Sequence, residues 1–339
     1  DSDFINMRGS QVMATTDPAS IGLDSQAHIA VVCARGNDSK VVTAMLVERG
    51  YHAKSVIGGM AGWMHALAQR NLTCPRSLDH LIQFDRVGKG ALGYLLVSDG
   101  QALIVDPPRH FESYLAAAAD CGAQVIGVAE THVHADYISG GPRLTEELGV
   151  PYYVHDADSS YPYDGTPGKL EYTPVEDGSV IDLGRATITV FHNPGHTLGS
   201  VSYLIDGEVA LTGDFIFVKS LGRPDLGGKS DEWTGDLWRS LERAKQEWAA
   251  DTMIFPAHYS SADERMPDHA VGGLLADLLV SNQPLTIANE VAFRAWVDSR
   301  ASSFPPQYRT IKGVNILIFD VDESEADTLD VGKNECAVA

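Results

Sequence analysis

The chain contains few cysteines and few basic residues for its length. Its four cysteines among 339 residues, at positions 33, 74, 121 and 336, are too scattered for a disulfide framework, which favours a reducing compartment, the cytoplasm. Only 25 lysines and arginines oppose 46 aspartates and glutamates, so the formal net charge is -21. This acidity argues against nucleic acid and against an anionic membrane surface as partners.

Long apolar runs are also missing. The longest, Ala270–Val280, is too short to cross a bilayer and contains Asp277, so it predicts a helix. The first residues lack the basic and apolar regions of a signal peptide, and we expect a protein without a membrane segment. The length is sufficient for one large domain or two.

The most informative stretch is Thr131–Gly140, which reads THVHADYISG. It holds two histidines, a carboxylate and a phenol, and it directly follows an apolar run over 124–130 that predicts a buried strand. In α/β architectures, ligands and metals bind where such strands end. The stretch therefore marks a candidate functional site.

Three further predicted strands end in the same manner. The strand 186–191 leads to His192 and His196, the strand 208–212 leads to Asp214, and the strand 252–255 leads to His258. Imidazoles and carboxylates are the ligands of borderline-hard divalent metals. The recurrence predicts a metal site where these strand ends lie side by side.

The N-terminal part has a different pattern. Residues 1–27 are polar and turn-rich, which predicts poor order or a partial lead-in to the next segment. Over 28–72 the chain predicts a strand, a loop beginning at Cys33, a helix, a second strand and another helix. A thiol between a strand and a helix start is favoured as thiolate by backbone N–H groups and by the helix dipole.

The CARGNDS loop at 33–39 and the GGMAGW stretch at 58–63 resemble the C-terminal half of the rhodanese, or sulfurtransferase, family. The resemblance implies a rhodanese-like segment over 28–72 in which Cys33 carries a persulfide. Asp38 stands where that family commonly has a basic residue, and its carboxylate would repel an anionic sulfur donor. The alternative is that Cys33 is only a small buried side chain.

Five motifs over 78–262 carry a second resemblance, to the metallo-β-lactamase fold, an αββα sandwich with its metal site at one edge. The motifs are, in order, THVHADYISG, NPGHTLGS, LTGDFIF, GRPDL and PAH. Within that superfamily the chain is most similar to the persulfide dioxygenases and less similar to glyoxalase II. The implied fold class is an α/β metallo-β-lactamase αββα sandwich preceded by a rhodanese-like α/β segment.

Resemblance to the dioxygenases implies that His132, His196 and Asp214 hold one Fe(II) per chain, the 2-His-1-carboxylate face of non-haem iron oxygenases. Zinc bound by His132, His134 and His196 is the competing assignment, and the spacing leaves both open. Around the ligands, the remaining polar side chains of the motifs would orient them and an iron-bound water: His134, Asp136, Tyr137 and His258.

Tyr137 is the position that discriminates between these assignments. Two-metal hydrolases of this fold place a histidine directly after the aspartate, where it helps to hold the second ion. This chain has a phenol there, a poor ligand at neutral pH because its pKa is near ~10. The second site is therefore expected to be impaired, which favours one metal.

The resemblance implies that O₂ oxidises a thiol persulfide, glutathione persulfide or a similar small compound, to sulfite and the free thiol. Arg223, in the GRPDL motif, would attract the anionic substrate or would form only a surface salt bridge. Tyr259 would line the pocket or only pack. Cys33 would accept or donate sulfane sulfur.

Two other function classes stay open. One is a zinc-dependent thioester hydrolase of the glyoxalase II type, which would normally require the histidine missing at position 137. The other is a sulfur-relay protein in which the metal site is structural and Cys33 alone shuttles sulfur.

The C-terminal residues 263–339 predict a helical extension and a tail. Helices at 270–281 and 289–300 would cover the sandwich or contribute to a homodimer contact, and covering is favoured. The segment 315–323 predicts a strand that runs into an acidic turn. Cys336, close to the end, predicts a mobile thiol.

Overall fold

The computed structural model of the chain describes residues 5–300, 303, 305–332 and 334–338. The chain divides into two compact units, Asp1–Ala66 and Leu67–Ala339. This boundary precedes the expected end of the first segment at residue 72, because residues 67–71 form a strand that pairs with the second unit's sheet. The sandwich unit accordingly starts at residue 67 rather than 78.

The N-terminal unit contains a parallel two-stranded sheet whose strands are joined by a helix. Its elements are α1 (Gly9–Ala14), β1 (His28–Val31), α2 (Asn37–Glu48), β2 (His52–Ser55) and α3 (Gly59–His65). Val12 of α1 packs in one apolar cluster with Val42 and Leu46 of α2. The sequence predicted either poor order or a partial lead-in for residues 1–27. The described part of this range contains a packed helix. Its first four residues lie outside the described part.

The first sheet of the second unit has seven strands that neighbour one another in chain order. They are β3 (Leu67–Asn71), β4 (His80–Arg86), β5 (Ala91–Ser98), β6 (Gln101–Val105), β7 (Gln124–Ala129), β8 (Tyr152–Val154) and β9 (Thr173–Pro174). All eight residues of β5 are buried. A continuous apolar run marks a strand covered on both faces, so β5 lies inside the molecule.

The second sheet has six strands, again in chain order. They are β10 (Val180–Leu183), β11 (Ala186–His192), β12 (Val201–Ile205), β13 (Val209–Gly213), β14 (Met253–Pro256) and β15 (Gly273–Leu274). β11 and β13 are both antiparallel to β12, and β14 is parallel to β13. β11, β13 and β14 therefore run in one direction, and their C-terminal ends lie at one edge of the second sheet.

The two sheets pack face to face, as the side-chain alternation of β5 shows. Leu92, Tyr94 and Leu96 lie in a cluster with Ile188 and Tyr203 of the second sheet, whereas the intervening side chains of β5 belong to another cluster. That outer cluster includes residues of the helices on the first sheet, and a third cluster packs helices on the second sheet. The αββα layering is confirmed.

The helices of this unit are α4 (Glu112–Asp120), α5 (Gly141–Leu148), α6 (Ser230–Glu247), α7 (Leu275–Ser281), α8 (Glu290–Asp298), α9 (Gln307–Asn315) and α10 (Glu323–Asp330). Asp99 and Gly100 stand between two apolar runs, a sequence pattern that predicts a hairpin. The hairpin is present, and the two residues have positive φ angles of 49° and 73°. Such angles fit a two-residue turn with the twist of the flanking strands.

The C-terminal predictions need two corrections. The expected strand at 315–323 is wrong, because α9 ends at Asn315 and the next element is the helix α10. The helix expected from residue 270 begins only at Leu275, since residues 273–274 pair with β14. Among the described residues, no helix combines the length and apolar character needed to cross a membrane.

Candidate metal centre

The predicted metal ligands come together at one edge of the sandwich, with His132 from the first sheet and the other two from the second. His132 follows β7, His196 follows β11 and Asp214 follows β13, and each is at most 2% exposed. One ligand atom of each lies within 4.8 Å of the other two. Asp214 Oδ2 is 3.6 Å from His132 Nε2 and 3.3 Å from His196 Nε2.

Hydrogen bonds to the second ring nitrogen, Nδ1, orient the imidazoles of His132 and His196. The Arg223 carbonyl lies 2.9 Å from His196 Nδ1, which must donate to it, so Nε2 keeps its lone pair. The Thr131 hydroxyl donates its proton to Asp106 at 2.8 Å and lies 3.0 Å from His132 Nδ1. Because that proton is already used, the hydroxyl oxygen must accept a hydrogen bond from Nδ1–H of His132. The imidazole lone pair of His132 is thereby also left on Nε2.

Asp214 is held by His258. Its Oδ1 lies 2.6 Å from His258 Nδ1, which leaves Oδ2 for another partner. His132 Nε2, His196 Nε2 and Asp214 Oδ2 are all buried without a hydrogen-bond partner. Buried polar atoms without partners are costly, so three that converge fit the binding of a divalent cation.

The three atoms fit one divalent metal. With metal–nitrogen and metal–oxygen bonds of about 2.1 Å, neighbouring ligand atoms lie about 3.0–3.5 Å apart. The observed separation of 3.3 Å lies within that range, and the separation of 3.6 Å slightly exceeds it. Two imidazoles and one carboxylate suit zinc as well as iron.

His134 faces a separate pair of carboxylates through one ring nitrogen. Its Nε2 is 3.2 Å from Asp106 Oδ1 and 3.3 Å from Glu130 Oε2. Burial alone would lower the pKa of His134, but these carboxylates raise it well above its ordinary value. Burial raises the pKa of Glu130 to about 7. Nδ1 of His134 is buried without a hydrogen-bond partner, so it remains a candidate ligand for the three-histidine assignment.

Asp136 and His258 form a second buried pair beside the first site. His258 Nε2 lies 3.1 Å from Asp136 Oδ2, while its Nδ1 contacts Asp214. Burial would lower the pKa of His258, yet the two carboxylates raise it to about 9. A charged imidazolium therefore links the two carboxylates.

Tyr137 is buried against His134, with ring centroids 4.3 Å apart. Its hydroxyl reaches the Asp106 carbonyl at 3.4 Å. Burial raises the pKa of the phenol well above its ordinary value, so the hydroxyl stays protonated. A protonated phenol is a poor metal ligand, as expected from the sequence.

The two predicted substrate contacts are engaged elsewhere. Arg223 is buried, and its guanidinium makes two bonds to Asp225, of 2.6 and 2.7 Å. The Tyr259 hydroxyl donates to Asp85 at 2.9 Å and also receives a bond from Arg265. These contacts favour the salt-bridge and packing alternatives for the two residues.

A cavity of about 490 Å³ opens beside the metal centre. Ala135, which precedes Asp136, and Thr197, which follows His196, are part of its wall. Lys229 and Lys312 also line it. Ligand pockets commonly have volumes of about 300–1,000 Å³, so this cavity has the size of a small-molecule site.

Sequence reasoning missed the contribution of α9 to this site. Lys312 donates to the Val133 carbonyl, and Asn315 Nδ2 donates to the carbonyls of His134 and Tyr137 at 2.8 and 2.9 Å. These bonds support the loop that carries the histidines. The polar side chains on a predicted strand gave no local signal of this role.

The expectation for Cys336 was wrong. Its side chain is fully buried and lies in a cluster with Ala135, Leu226 and Tyr308. Burial and the carboxylates of Asp136 and Asp214 raise the pKa of its thiol well above its ordinary value. Cys336 is therefore part of the metal-site region and not a mobile thiol.

Cys33 lies in a distinct environment in the N-terminal unit. Its sulfur accepts from the backbone N–H groups of Gly36 at 3.1 Å and Ser39 at 3.4 Å. The Ser39 hydroxyl, 3.4 Å away, together with these amides lowers the pKa of Cys33 to about 7. The side chain is partly exposed, so the thiolate is accessible.

Comparisons with known proteins agree with this architecture. The family model "Metallo-beta-lactamase superfamily" matches residues 88–258. The probable metallo-hydrolase YqgX of Bacillus subtilis is 30% identical over 186 residues, which cover 51% of this chain and 87% of that protein. The hydroxyacylglutathione hydrolase of Hyphomonas neptunium is 27% identical over 222 residues, with coverages of 63% and 75%.

A solved structure, ETHE1 from Myxococcus xanthus, shares the fold. It superposes with a TM-score of 0.60 at 21% identity and covers 69% of this chain and 97% of that one. The family match includes all four strand ends that bring His132, His196, Asp214 and His258 together. The chain belongs to the metallo-beta-lactamase superfamily, whose fold binds metal at this edge.

Proposed function

We propose that the chain is a mononuclear non-haem iron dioxygenase that oxidises the terminal sulfur of a small thiol persulfide, glutathione persulfide or a similar compound. The observation that carries the proposal is the convergence of three unpartnered atoms from His132, His196 and Asp214. Iron bound by such a face has open positions for a substrate sulfur and for O₂. The resemblance of the five motifs to persulfide dioxygenases supports this choice of metal and substrate.

The proposed reaction is RSSH + O₂ + H₂O giving RSH and H₂SO₃. Both oxygen atoms join the sulfane sulfur, which is oxidised while O₂ is reduced. Water then cleaves the S–S bond, and the leaving thiolate takes up a proton to give the free thiol. The balance requires no further oxidant or reductant.

The chain's own residues would hold the ligand atoms in place. Asp106 orients His132 through the hydroxyl of Thr131, and the Arg223 carbonyl orients His196 by a hydrogen bond to Nδ1. His258 holds one oxygen of Asp214. Such supporting bonds fix the tautomer and the orientation of each ligand, which tunes metal affinity.

The cavity beside the site is the proposed substrate pocket. Lys229 lines it and is exposed, and Lys312 lies buried in its wall. Glutathione carries carboxylates, and lysine ammonium groups attract such anions even in a chain with a formal net charge of -21. We assign this role to Lys229 instead of Arg223, whose guanidinium is bound to Asp225.

Sulfane-sulfur transfer through Cys33 would be a second activity. The accessible sulfur and its lowered pKa support a nucleophile that takes the outer sulfur of a persulfide and releases the thiol. Asp38, in the first turn of α2, leaves an anionic donor less favoured. A rhodanese-like role for this unit rests on the sequence resemblance.

A zinc-dependent thioester hydrolase is the second candidate. A three-histidine site with His132 and His196 would use His134 Nδ1, which is buried without a hydrogen-bond partner. The relative named as a hydroxyacylglutathione hydrolase supports the same alternative. In this case the protein would hold zinc and would not consume O₂.

Oxygen uptake after addition of glutathione persulfide to anaerobically iron-loaded protein tests the proposal. We expect about one O₂ per persulfide, with sulfite as the product. Asp214→Ala should abolish uptake, whereas Asp251→Ala, at an exposed turn, should leave it unchanged. Iron-loaded protein that consumes no O₂ but hydrolyses thioesters when loaded with zinc would contradict the dioxygenase.

Cys33→Ser separates the two sulfur roles. Dioxygenase turnover should persist in this variant, while formation of thiosulfate from sulfite and persulfide should be lost. If oxygen uptake disappeared instead, Cys33 would belong to the oxidation, and the assignment of that reaction to the metal centre would be wrong.

A further inference from the structure

Two histidines outside the metal centre stack on each other beside the cavity. His155 directly follows β8, and His192 is the last residue of β11. Their ring centroids are 4.1 Å apart, and their ring planes differ by 9°. Both side chains are partly buried, and they belong to different sheets of the sandwich. The stack therefore ties the loop that follows β8 to the strand that leads to His196.

The hydrogen bonds of the two rings indicate which nitrogens carry protons. His192 Nε2 lies 2.8 Å from the Leu198 carbonyl, which can only accept, so this nitrogen is protonated. His155 Nδ1 accepts from the Ala157 N–H at 3.2 Å, so this nitrogen has no proton. The second bond caps a single 3-10 turn, Asp156–Asp158. The capped turn therefore requires a neutral His155.

The capped turn places the Asp158 carboxylate between the two loops that carry the histidine ligands. Asp158 Oδ2 accepts from the Val133 N–H and from the Thr197 hydroxyl, both at 2.8 Å. Val133 directly follows His132, and Thr197 directly follows His196. Asp158 and Thr197 also form part of the cavity wall. The turn is therefore a common support of both ligand loops and of the cavity.

Charged groups from several segments surround the stack. The carboxylates that favour a protonated His155 are those of Asp156, Asp158 and Glu176. Next to His192, Asp177 accepts from its backbone N–H and pairs with Arg243 of α6. Burial and the neighbouring His192 oppose the three carboxylates and lower the pKa of His155 below its ordinary value of 6.5. His155 is therefore uncharged in neutral solution and gains a proton only in acid.

We propose that His155 and His192 form an acid-sensitive latch that positions the ligand loops and the cavity wall through Asp158. A proton on His155 Nδ1 would face the Ala157 N–H, itself a donor, so protonation breaks the capping bond and releases the turn. The latched state binds fewer protons than the released state. Its stability is therefore complete above about pH 6.5 and falls as the pH decreases below that value. The inference goes beyond the proposed function, because it does not depend on which metal or reaction the centre supports.

Amide hydrogen exchange of the full chain at about pH 7.5 and about pH 5.5, corrected for the intrinsic effect of pH, tests the latch. In the wild type, the Asp158 and Ser159 amides that close the turn should lose protection in acid, by up to about tenfold per pH unit, the limit for one linked proton. His155→Asn keeps a capping acceptor but cannot be protonated, so its protection should not change with pH. His80→Asn, at an exposed strand position, is the matched control and should behave as wild type.

A second variant separates capping from charge. His155→Leu removes the acceptor at every pH, so the turn should lose protection already at about pH 7.5. Because the metal ligands also titrate in acid, the variants are compared at the same pH. Wild-type protection that is equal at both pH values, or that falls equally in His155→Asn, would overturn the proposal, as would full protection in His155→Leu. Exchange is measured without turnover, so this result and the dioxygenase assignment can fail separately.

Discussion

The two sulfur-bearing regions of the molecule place the same functional group in opposite surroundings. In the Cys33 loop, two backbone amides donate to the sulfur, and together with the Ser39 hydroxyl they lower its pKa to about 7. In the C-terminal tail, burial and nearby carboxylates raise the pKa of Cys336. Donors and charge around a thiol, rather than its place near a chain end, decide whether it is a thiolate nucleophile or stays protonated.

The regions around the two thiols also differ in burial and in the number of chain segments that build them. The Cys33 site is built from one continuous loop and is partly open to solvent. The metal centre assembles side chains from four strand ends and a tail, all buried. We therefore expect a large loss of metal binding when a buried ligand is removed, and smaller changes in thiol reactivity at the exposed Cys33 loop.

Removal of a ligand of the first site should give the largest effect. His196→Ala leaves two ligands and should weaken metal binding by more than about 100-fold, beyond the 10–100-fold typical of lost supporting groups. Metal content after dialysis measures this, with His80→Ala at an exposed strand position as control. Equal metal content in the two variants would show that the metal binds elsewhere.

Removal of a supporting group should cost less. Thr131→Val keeps the shape of the side chain but deletes the hydroxyl between Asp106 and His132. We expect metal affinity to fall by about 10–100-fold while the ion remains bound at high concentration. Competition with a chelator measures the affinity, and Thr173→Val at an exposed position should not change it. No change in Thr131→Val would mean that Asp106 does not act on the ligand.

The α9 support should affect folding more than chemistry. Asn315→Ala removes the donors to the His134 and Tyr137 carbonyls and the acceptor for Ser139 N–H. Loss of buried hydrogen-bond partners costs roughly 1–3 kcal/mol, so the free energy of unfolding should fall by that amount. Chemical denaturation measures it. An unchanged midpoint would show that water replaces the amide.

The smallest expected effect is a shift in titration at the exposed loop. Alkylation of Cys33 by iodoacetamide should rise with pH and reach half its maximum near pH 7, because the folded pKa lies below the ordinary value of 9.0. Ser39→Ala should move this midpoint to higher pH, since the hydroxyl stabilises the thiolate. Mass spectrometry of the Cys33 and Cys336 peptides measures both thiols. Cys336 should stay unmodified until the protein unfolds, and early modification would contradict its burial.

The metal centre was more accessible to sequence reasoning than its surroundings. His132, His196 and Asp214 each follow a strand whose apolar pattern is local. The strands before His196 and Asp214 run in one direction in the second sheet and end at one edge, whereas His132 follows β7 of the first sheet. The positions of these residues along the chain therefore carried most of the information. The predicted hairpin at Asp99 and Gly100 rested equally on local backbone preference.

The surroundings depended on contacts between residues far apart in sequence. The GRPDL motif indicated Arg223 as a cation for the substrate. In the structure its guanidinium donates hydrogen bonds to Asp225 and to the Glu335 carbonyl in the tail. The segment 315–323 had strand-like composition, but in the structure it connects α9 to α10, and Asn315 at the end of α9 donates to the histidine loop. Propensity is weak when such long-range contacts compete with it.

The sequence by itself determined the layered α/β architecture, through the resemblance of its five motifs, and the candidate metal ligands, because strand-end chemistry is a local property of the chain. Only the tertiary structure decided which atoms of those side chains remain without partners and that Cys336 joins Asp136 and His258. The physical reason is that burial, hydrogen-bond satisfaction and the pairing of a tail with a distant loop exist only once the whole chain has packed.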